Sequence, residues 1–284
     1  MKWGLIFLTA AFAGTPKLKG LTVLPAHTFP GGVVLIEYPL PEGEEPAKYE
    51  LTLNGKTKSW EICPTKKRKL CTFAGVEMDD TPAELAISVK REGAEVASVA
   101  IPVKKRRYTK IELKVPPKHG DVSPEDQKRI DEERATMKVI YESGEKDYLW
   151  QKPFRLPGKG RATSPYGGQR VFNGTLASTH YGVDLRANEK TWVLAANEGK
   201  VVYAANLFNS GNFVALDHGG KLFTTYSHLS SISVKVNDRI KPGQQLGKAG
   251  ATGRVSGPHL HWAVRIDGLY VDPIVFLQVE KKLK

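Results

Sequence analysis

The sequence predicts an all-β protein: an N-terminal immunoglobulin-like β-sandwich, a helical linker, and a C-terminal Gly-rich antiparallel β domain. Three observations carry that expectation. Short runs rich in β-branched and aromatic residues recur over residues 18–112 between Gly, Pro and Asn turn signals. Val115-Pro116-Pro117-Lys118 forms a stiff, extended break after them. From Trp150 to Phe276 short strands again alternate with Gly-rich turns, without helical periodicity. A chain of 284 residues is long enough for two domains that each bury a core.

At the start, Met1-Lys2-Trp3 carries one cation and precedes the apolar run Gly4 to Ala13, too short to span a bilayer. Ala11-Phe12-Ala13 has the small-x-small form of a signal-peptidase site, so residues 1–13 are expected to be a signal peptide cleaved after Ala13. The protein is then exported, periplasmic or extracellular, with no stable membrane insertion after signal cleavage. Within 18–112 the expected strands are Thr22-Val23-Leu24, Val33 to Tyr38, Tyr49 to Leu53, Glu84 to Val89 and Val96 to Ile101, separated by turns such as Asn54-Gly55 and Glu92-Gly93. At this spacing they suggest a sandwich burying one face of each strand. Cys63 and Cys71 close one loop, which in an exported protein predicts a disulfide, since two thiols alone cannot complete a zinc site. The enclosed Pro64 to Lys69 reads as a solvated basic tip.

The linker, residues 113–149, contains a helix signal: Ser123 as cap, Pro124 at the first helical position, then Glu125 and Asp126 at the positive helix end. The helix is expected to reach about Tyr141. Its sparse apolar positions, Ile130, Met137, Val139 and Ile140, predict a surface helix bridging the domains. In the C-terminal domain, 150–277, expected strands include Val193 to Ala196, Gly199 to Ala204, Asn212 to Asp217, Lys221 to Tyr226 and His259 to Val264. Asp217-His218-Gly219-Gly220 reads as a hairpin turn that exposes His218. Residues 278–284 are expected to be a basic tail, frayed over Lys281 to Lys284.

Composition narrows the function classes. Hydrophobic content of 40% and charged content of 25% are those of a globular protein, and the net charge of +12 favours polyanionic surroundings. No nucleic-acid module signature accompanies that charge, so a nucleic-acid partner is not expected. The sequence carries no signature that sets an oligomeric state.

Chemistry concentrates near the C-terminal end, where five of the seven histidines fall. His259 and His261 lie two apart on an expected strand and therefore project to one face. His180 and Asp184 are joined by a Gly-containing turn that can bring both to the same ion. Three N/O ligands with a fourth position open to water form the catalytic pattern of zinc coordination. Two further histidines would suit proton transfer to a leaving amine, and His228, in Tyr226-Ser227-His228-Leu229, is the natural partner of whichever member of the His259/His261 pair is not a ligand.

Taken in order, Thr163-Ser164-Pro165-Tyr166-Gly167, His180-Tyr181-Gly182-Val183-Asp184-Leu185, Gly199-Lys200-Val201-Val202, Tyr226-Ser227-His228-Leu229, Lys241 to Gly247, Gly257-Pro258-His259-Leu260-His261 and Val271-Asp272-Pro273 resemble the lysostaphin/LytM-type zinc metallopeptidases. The resemblance covers about residues 160 to 275. It implies that His180, Asp184 and His261 bind Zn2+ and that His228 and His259 are catalytic. It also implies peptidoglycan peptides as substrates, cut by an endopeptidase in cross-links or stem peptides. Some relatives have lost ligands and activate amidases, which gives the competing reading of a non-catalytic wall-binding or amidase-regulating module. Here every ligand and both catalytic histidines are present. Asn188 to Val193 departs from the family's usual Gly-Thr-Pro-Val ahead of the strand. His119, in the linker, is a candidate upstream ligand for a latent form.

Overall fold

In the computed structural model, residues 20–79, 81–113, 122–172 and 175–283 are described. The expected signal peptide, the Val115 to Lys118 break and His119 lie outside them. The chain is mostly strands, as expected, and among the described residues it holds two α-helices. The N-terminal part contains β1 (Thr22–Leu24), β2 (Val33–Pro39), β3 (Tyr49–Leu53), β4 (Lys56–Lys58), β5 (Glu61–Cys63), β6 (Lys66–Gly75), β7 (Glu84–Arg91) and β8 (Ala94–Pro102). They form two antiparallel sheets, ordered β1-β2-β6-β5 and β4-β3-β7-β8.

β2 decides how these sheets are used. Val34, Ile36 and Tyr38 face the second sheet, packing with Leu51, Ile87 and Val89. Val33 and Leu35 point the other way and join Cys71 and Phe73 in a core shared with Trp150, Phe154 and Phe276 of the C-terminal part. The Phe73 ring lies 6.4 Å from Trp150 and 5.4 Å from Phe276. The first sheet is therefore a middle layer buried on both faces, which corrects the expectation of one buried face per strand. Continuous apolar runs such as Val33 to Ile36 are what a doubly covered strand requires.

The basic Lys66 to Lys69 segment is also corrected, since it belongs to β6 rather than to a solvated tip. Glu37 explains the placement: its carboxylate is 4% exposed and takes Lys66 at 2.7 Å and Lys69 at 3.3 Å. A buried carboxylate needs such partners. Cys63 and Cys71 are disulfide-bonded, with Cα atoms 5.2 Å apart.

Beyond β8 the chain crosses to the C-terminal part. Arg106 bonds Asp272 at 3.0 Å and stacks over Phe29 at 4.4 Å. β9 (Lys110–Leu113) then pairs in parallel with the later β11 (Gln169–Phe172). Helix α1 (Pro124–Glu142) starts as expected, with Ser123 Oγ accepting the Asp126 N–H at 3.1 Å. Its buried residues are Ile130 and Tyr141, and it lies along the C-terminal sheet, where the Phe208 N–H donates to Glu133 at 2.9 Å.

That sheet is built from β10 (Ala162–Ser164), β13 (Val183–Leu185), β15 (Gly199–Leu207), β16 (Gly211–Asp217), β17 (Leu222–Ile232), β18 (Arg239–Ile240) and β20 (Leu260–Ile266), in the order β10-β13-β20-β17-β16-β15-β18. β14 (Trp192–Leu194) and β19 (Gln245–Ala249) pair beside β17, β21 (Leu269–Val271) pairs with β20, and β12 (Thr175–Thr179) pairs with β11.

Helix α2 (Pro273–Glu280) was not expected from the sequence. Asp272 caps it, accepting the Ile274 and Val275 N–H groups at 3.0 and 3.3 Å, and Pro273 occupies the first turn. Phe276, Leu277 and Val279 are buried and Ile274 and Val275 half-buried against the same core, so the helix lacks the polar face that gives a helical period and periodicity could not reveal it. Lys281–Leu283 form a 3-10 turn, and Leu283 is 2% exposed with its carbonyl accepting from Thr65 Oγ1 at 2.5 Å. The expected frayed tail is thus packed at this point.

His218 is a further correction, for it is fully buried rather than exposed on a turn. The segment from Glu145 to Tyr148 covers the turn, and Gly219, at φ +79°, lies where a Cβ would come within 1.8 Å of the Asp147 carbonyl. His218 Nδ1 donates to the Glu198 carbonyl at 2.6 Å, and its Nε2 accepts from Thr224 Oγ1 at 2.8 Å. Burial pushes its pKa down to about 4. Between that value and the ordinary 6.5, the unfolded chain binds a proton and the folded chain does not, so stability falls as pH drops through this window. The expected loss is on the order of 3 kcal/mol. Denaturant unfolding at pH 7 and 4.5 should show a shallower pH slope for His218→Gln than for the native chain; equal slopes would refute the assignment.

Candidate metal centre

Strand alternation builds the centre. On β13, Val183 and Leu185 enter the core and leave Asp184 on the groove side. On β20, Leu260 and Trp262 enter the core and leave His261 on the groove side. Asp184 pairs directly opposite His261, and Ser227 of β17 pairs opposite His261 on its other flank. The chain from His180 to Asp184 passes close over this strand. A Cβ at Gly182 would stand 2.6 Å from the His261 ring and 2.8 Å from the Trp262 carbonyl, so glycine is required there.

Three ligand atoms converge. His180 Nε2 lies 2.9 Å from Asp184 Oδ1 and 3.0 Å from His261 Nδ1, and His261 Nδ1 lies 3.0 Å from Asp184 Oδ1. His180 Nδ1 is 2.8 Å from the Pro165 carbonyl. A carbonyl only accepts, so Nδ1 carries the hydrogen and the neutral ring aims its Nε2 lone pair at the other two atoms. Electron pairs facing one another at this range call for a cation between them. The N, O, N donor set, with one face open to the groove, fits zinc with a free coordination position.

The same arrangement sets the titration of these groups. With no cation between these atoms, a proton on His180 Nε2 takes its place: burial opposes that charge, but the hydrogen bond the protonated ring donates to Asp184 and the attraction of that carboxylate outweigh burial and raise its pKa. Burial works to raise Asp184, yet the bonds from His180 and His261 hold it well below the carboxylate range. For His261, burial dominates and lowers the pKa.

His228 and His259 stand beside the triad. Their ring centroids are 4.9 Å apart, and His228 lies 6.0 Å from His261. His228 Nδ1 donates to the Thr252 carbonyl and His259 Nδ1 to the Gly257 carbonyl, both at 2.9 Å, which leaves Nε2 of each as the free nitrogen. Burial pushes the His228 pKa down to about 4, so its ring is neutral near pH 7. His228 also sits at φ +64°, a left-handed conformation that costs a non-glycine residue roughly 1–3 kcal/mol. Its N–H to the Ser210 carbonyl, at 2.8 Å, holds that conformation.

All five residues singled out in the sequence thus fall in one groove, while His218 lies elsewhere. Sequence reasoning did not find the carbonyls of Pro165, Thr252 and Gly257 that orient the rings. They are backbone groups; Pro165 and Gly257 fall within motifs quoted above, but neither had an assigned role there, and Thr252 lies in none of them. Also unforeseen were the tyrosines at the rim: Tyr181 stacks on Tyr270 at 5.4 Å, and Tyr166 donates to the Tyr270 carbonyl at 2.9 Å.

A β-rich domain presenting two histidines and an aspartate to one ion position, with two more histidines alongside, has the layout of a metallohydrolase. Residues 178–273, which hold all five, match peptidase family M23, and the chain carries a domain of that family. The peptidoglycan DD-endopeptidase ShyA of Vibrio cholerae is 35% identical over 116 residues, covering 40% of this chain and 27% of ShyA. The cell division protein DipM of Caulobacter vibrioides is 38% identical over 112 residues, covering 38% of this chain and 18% of DipM. The chain thus spans about a fifth to a quarter of the length of these curated relatives. A Pseudomonas aeruginosa protein, described with its crystal structure as a peptidase M23, is 27% identical with a TM-score of 0.67, covering 88% of this chain and 95% of that one. That likeness extends well beyond the M23 interval.

Proposed function

We propose that this chain is an exported, zinc-dependent endopeptidase that hydrolyses peptide bonds in peptidoglycan cross-links or stem peptides. The observation that carries the reading is the convergence of His180 Nε2, Asp184 Oδ1 and His261 Nδ1 beside the free nitrogens of His228 and His259. The peptidoglycan DD-endopeptidase name of the Vibrio relative supports the substrate class. His180, Asp184 and His261 are the residues to hold the ion. Zinc bound there would lower the pKa of a water molecule and polarise the scissile carbonyl. His228 and His259 would act as proton carriers: a free Nε2 takes a proton from the attacking water, and the imidazolium so formed gives that proton to the amine nitrogen as the C–N bond breaks, directly or by relay through the neighbouring ring. The carbonyls of Thr252 and Gly257 fix the tautomer that leaves those nitrogens available.

The N-terminal strand order, β1-β2-β6-β5 against β4-β3-β7-β8, supports reading residues 18–112 as an immunoglobulin-like sandwich. We propose it as a rigid support for the peptidase domain, 150–277, since the two share a core. Export rests on the first thirteen residues. Among the described residues no helix is long and apolar enough to cross a membrane.

Purified protein should hold about one zinc per chain and release peptide fragments from purified peptidoglycan, with new amino and carboxyl ends identified by mass spectrometry. A zinc-free protein, or uncut peptidoglycan, would sink the reading.

A further inference from the structure

The groove that holds His180 and His261 has a volume of about 1380 Å³ and is bounded by α1 on one side. Its charges are nearly all engaged within the protein. Asp267 takes Lys58 at 2.9 Å, and Glu142 takes Lys138 at 4.0 Å. Glu133 accepts from Arg129 at 2.8 Å, and Arg134 reaches Asp131 at 3.4 Å. Lys221 donates to the Glu142 carbonyl, and Arg265 lies between the rings of Tyr141 and Tyr270, at 4.1 and 4.3 Å.

Beyond these, two exposed guanidinium groups in the lining, Arg170 and Arg254, have no ion pair with a carboxylate among the described residues. Arg170 is exposed on β11, where it pairs opposite Ser178, two residues before His180, and lines the same groove as that ring. Arg254 is exposed two residues beyond Thr252, whose carbonyl holds His228, and its guanidinium sits 5.9 Å over the Phe208 ring. One cation therefore stands on the His180 side of the centre and the other on the His228 side. Guanidinium groups bind carboxylates through paired, charge-assisted hydrogen bonds, and a groove with low acidic content around them concentrates anionic ligands.

We propose that Arg170 and Arg254 are specificity residues that bind free carboxylates of the peptide laid across the metal centre, so that the site selects an anionic peptide over its amidated counterpart. This rests on the peptidase reading above. Loss of one charge-assisted contact corresponds to a change of about 10- to 100-fold.

The test uses the zinc-loaded full chain and two synthetic cross-linked peptides that differ only in carrying free or amidated carboxyl groups. The native protein should favour the free acid in kcat/KM by at least about 10-fold. Arg170→Gln and Arg254→Gln should each reduce that preference through KM, and Arg170→Lys should restore part of it. Variants that keep the native preference overturn the proposal, as does a native protein that treats both peptides alike. Should the native protein cut neither peptide, the peptidase reading fails on its own, and calorimetric binding then decides: tighter binding of the free acid that both Gln variants abolish supports the carboxylate site, and binding indifferent to them refutes it.

Discussion

His261→Ala should lose zinc and turnover together. His261 Nδ1 lies 3.0 Å from His180 Nε2 and from Asp184 Oδ1, the other two proposed ligand atoms, so its removal would leave two donors, too few for a tetrahedral site. The loss in metal affinity should exceed the roughly 10–100-fold that follows removal of a group merely supporting a ligand. Activity should fall by at least about 1000-fold, because metal-assisted activation of water supplies several kcal/mol. Elemental analysis of zinc and assay of peptidoglycan release on the same preparation check both halves. A variant that retains a full complement of zinc would show that His261 is not a ligand. The fold should survive, since the His261 side chain faces the groove while Leu260 and Trp262 carry the packing of the strand.

The opposite pairing is expected at His259. His259→Ala should keep its zinc and lose about 100- to 10,000-fold in kcat, the range for removal of a positioned proton carrier. Geometry separates the two members of the pair, although spacing in the sequence does not. His259 Nε2 stands 3.6 Å from Asp184 Oδ1, outside the 3.0 Å triad, and its Nδ1 is bound to the Gly257 carbonyl. Zinc content near one per chain with turnover abolished is the expected result. Loss of zinc in this variant would reverse the roles of His259 and His261. The two substitutions are therefore most informative when measured side by side.

The site was more legible in the sequence than the packing that surrounds it. His180, Asp184, His228, His259 and His261 carry unusual chemistry at readable spacings, and strand alternation places them on one face. The turns at Asn54-Gly55 and Glu92-Gly93 were legible for a similar reason, since Asn54 and Glu92 adopt φ near +50° and each is followed by a positive-φ glycine. What escaped reading depends on partners distant in the chain. Lys66 and Lys69 look solvated until Glu37 is found buried beside them. His218 looks like a turn residue until the Glu145 to Tyr148 segment is seen to cover it. α2 lacks a polar face because the first sheet and the shared core surround it. The carbonyls that orient the histidine rings leave no side-chain signature at all.

The shared core also bears on the order in which the molecule can be completed. When β2 and β6 have paired during synthesis, Val33, Leu35 and Phe73 still present an oily face to water, because Trp150 and Phe276 have yet to emerge from the ribosome. Residue 65 meets residue 283 across most of the chain, a closure whose entropic cost is met only when almost everything else is made. The sandwich therefore begins life as an unfinished surface, and the peptidase end of the chain is the part that seals it.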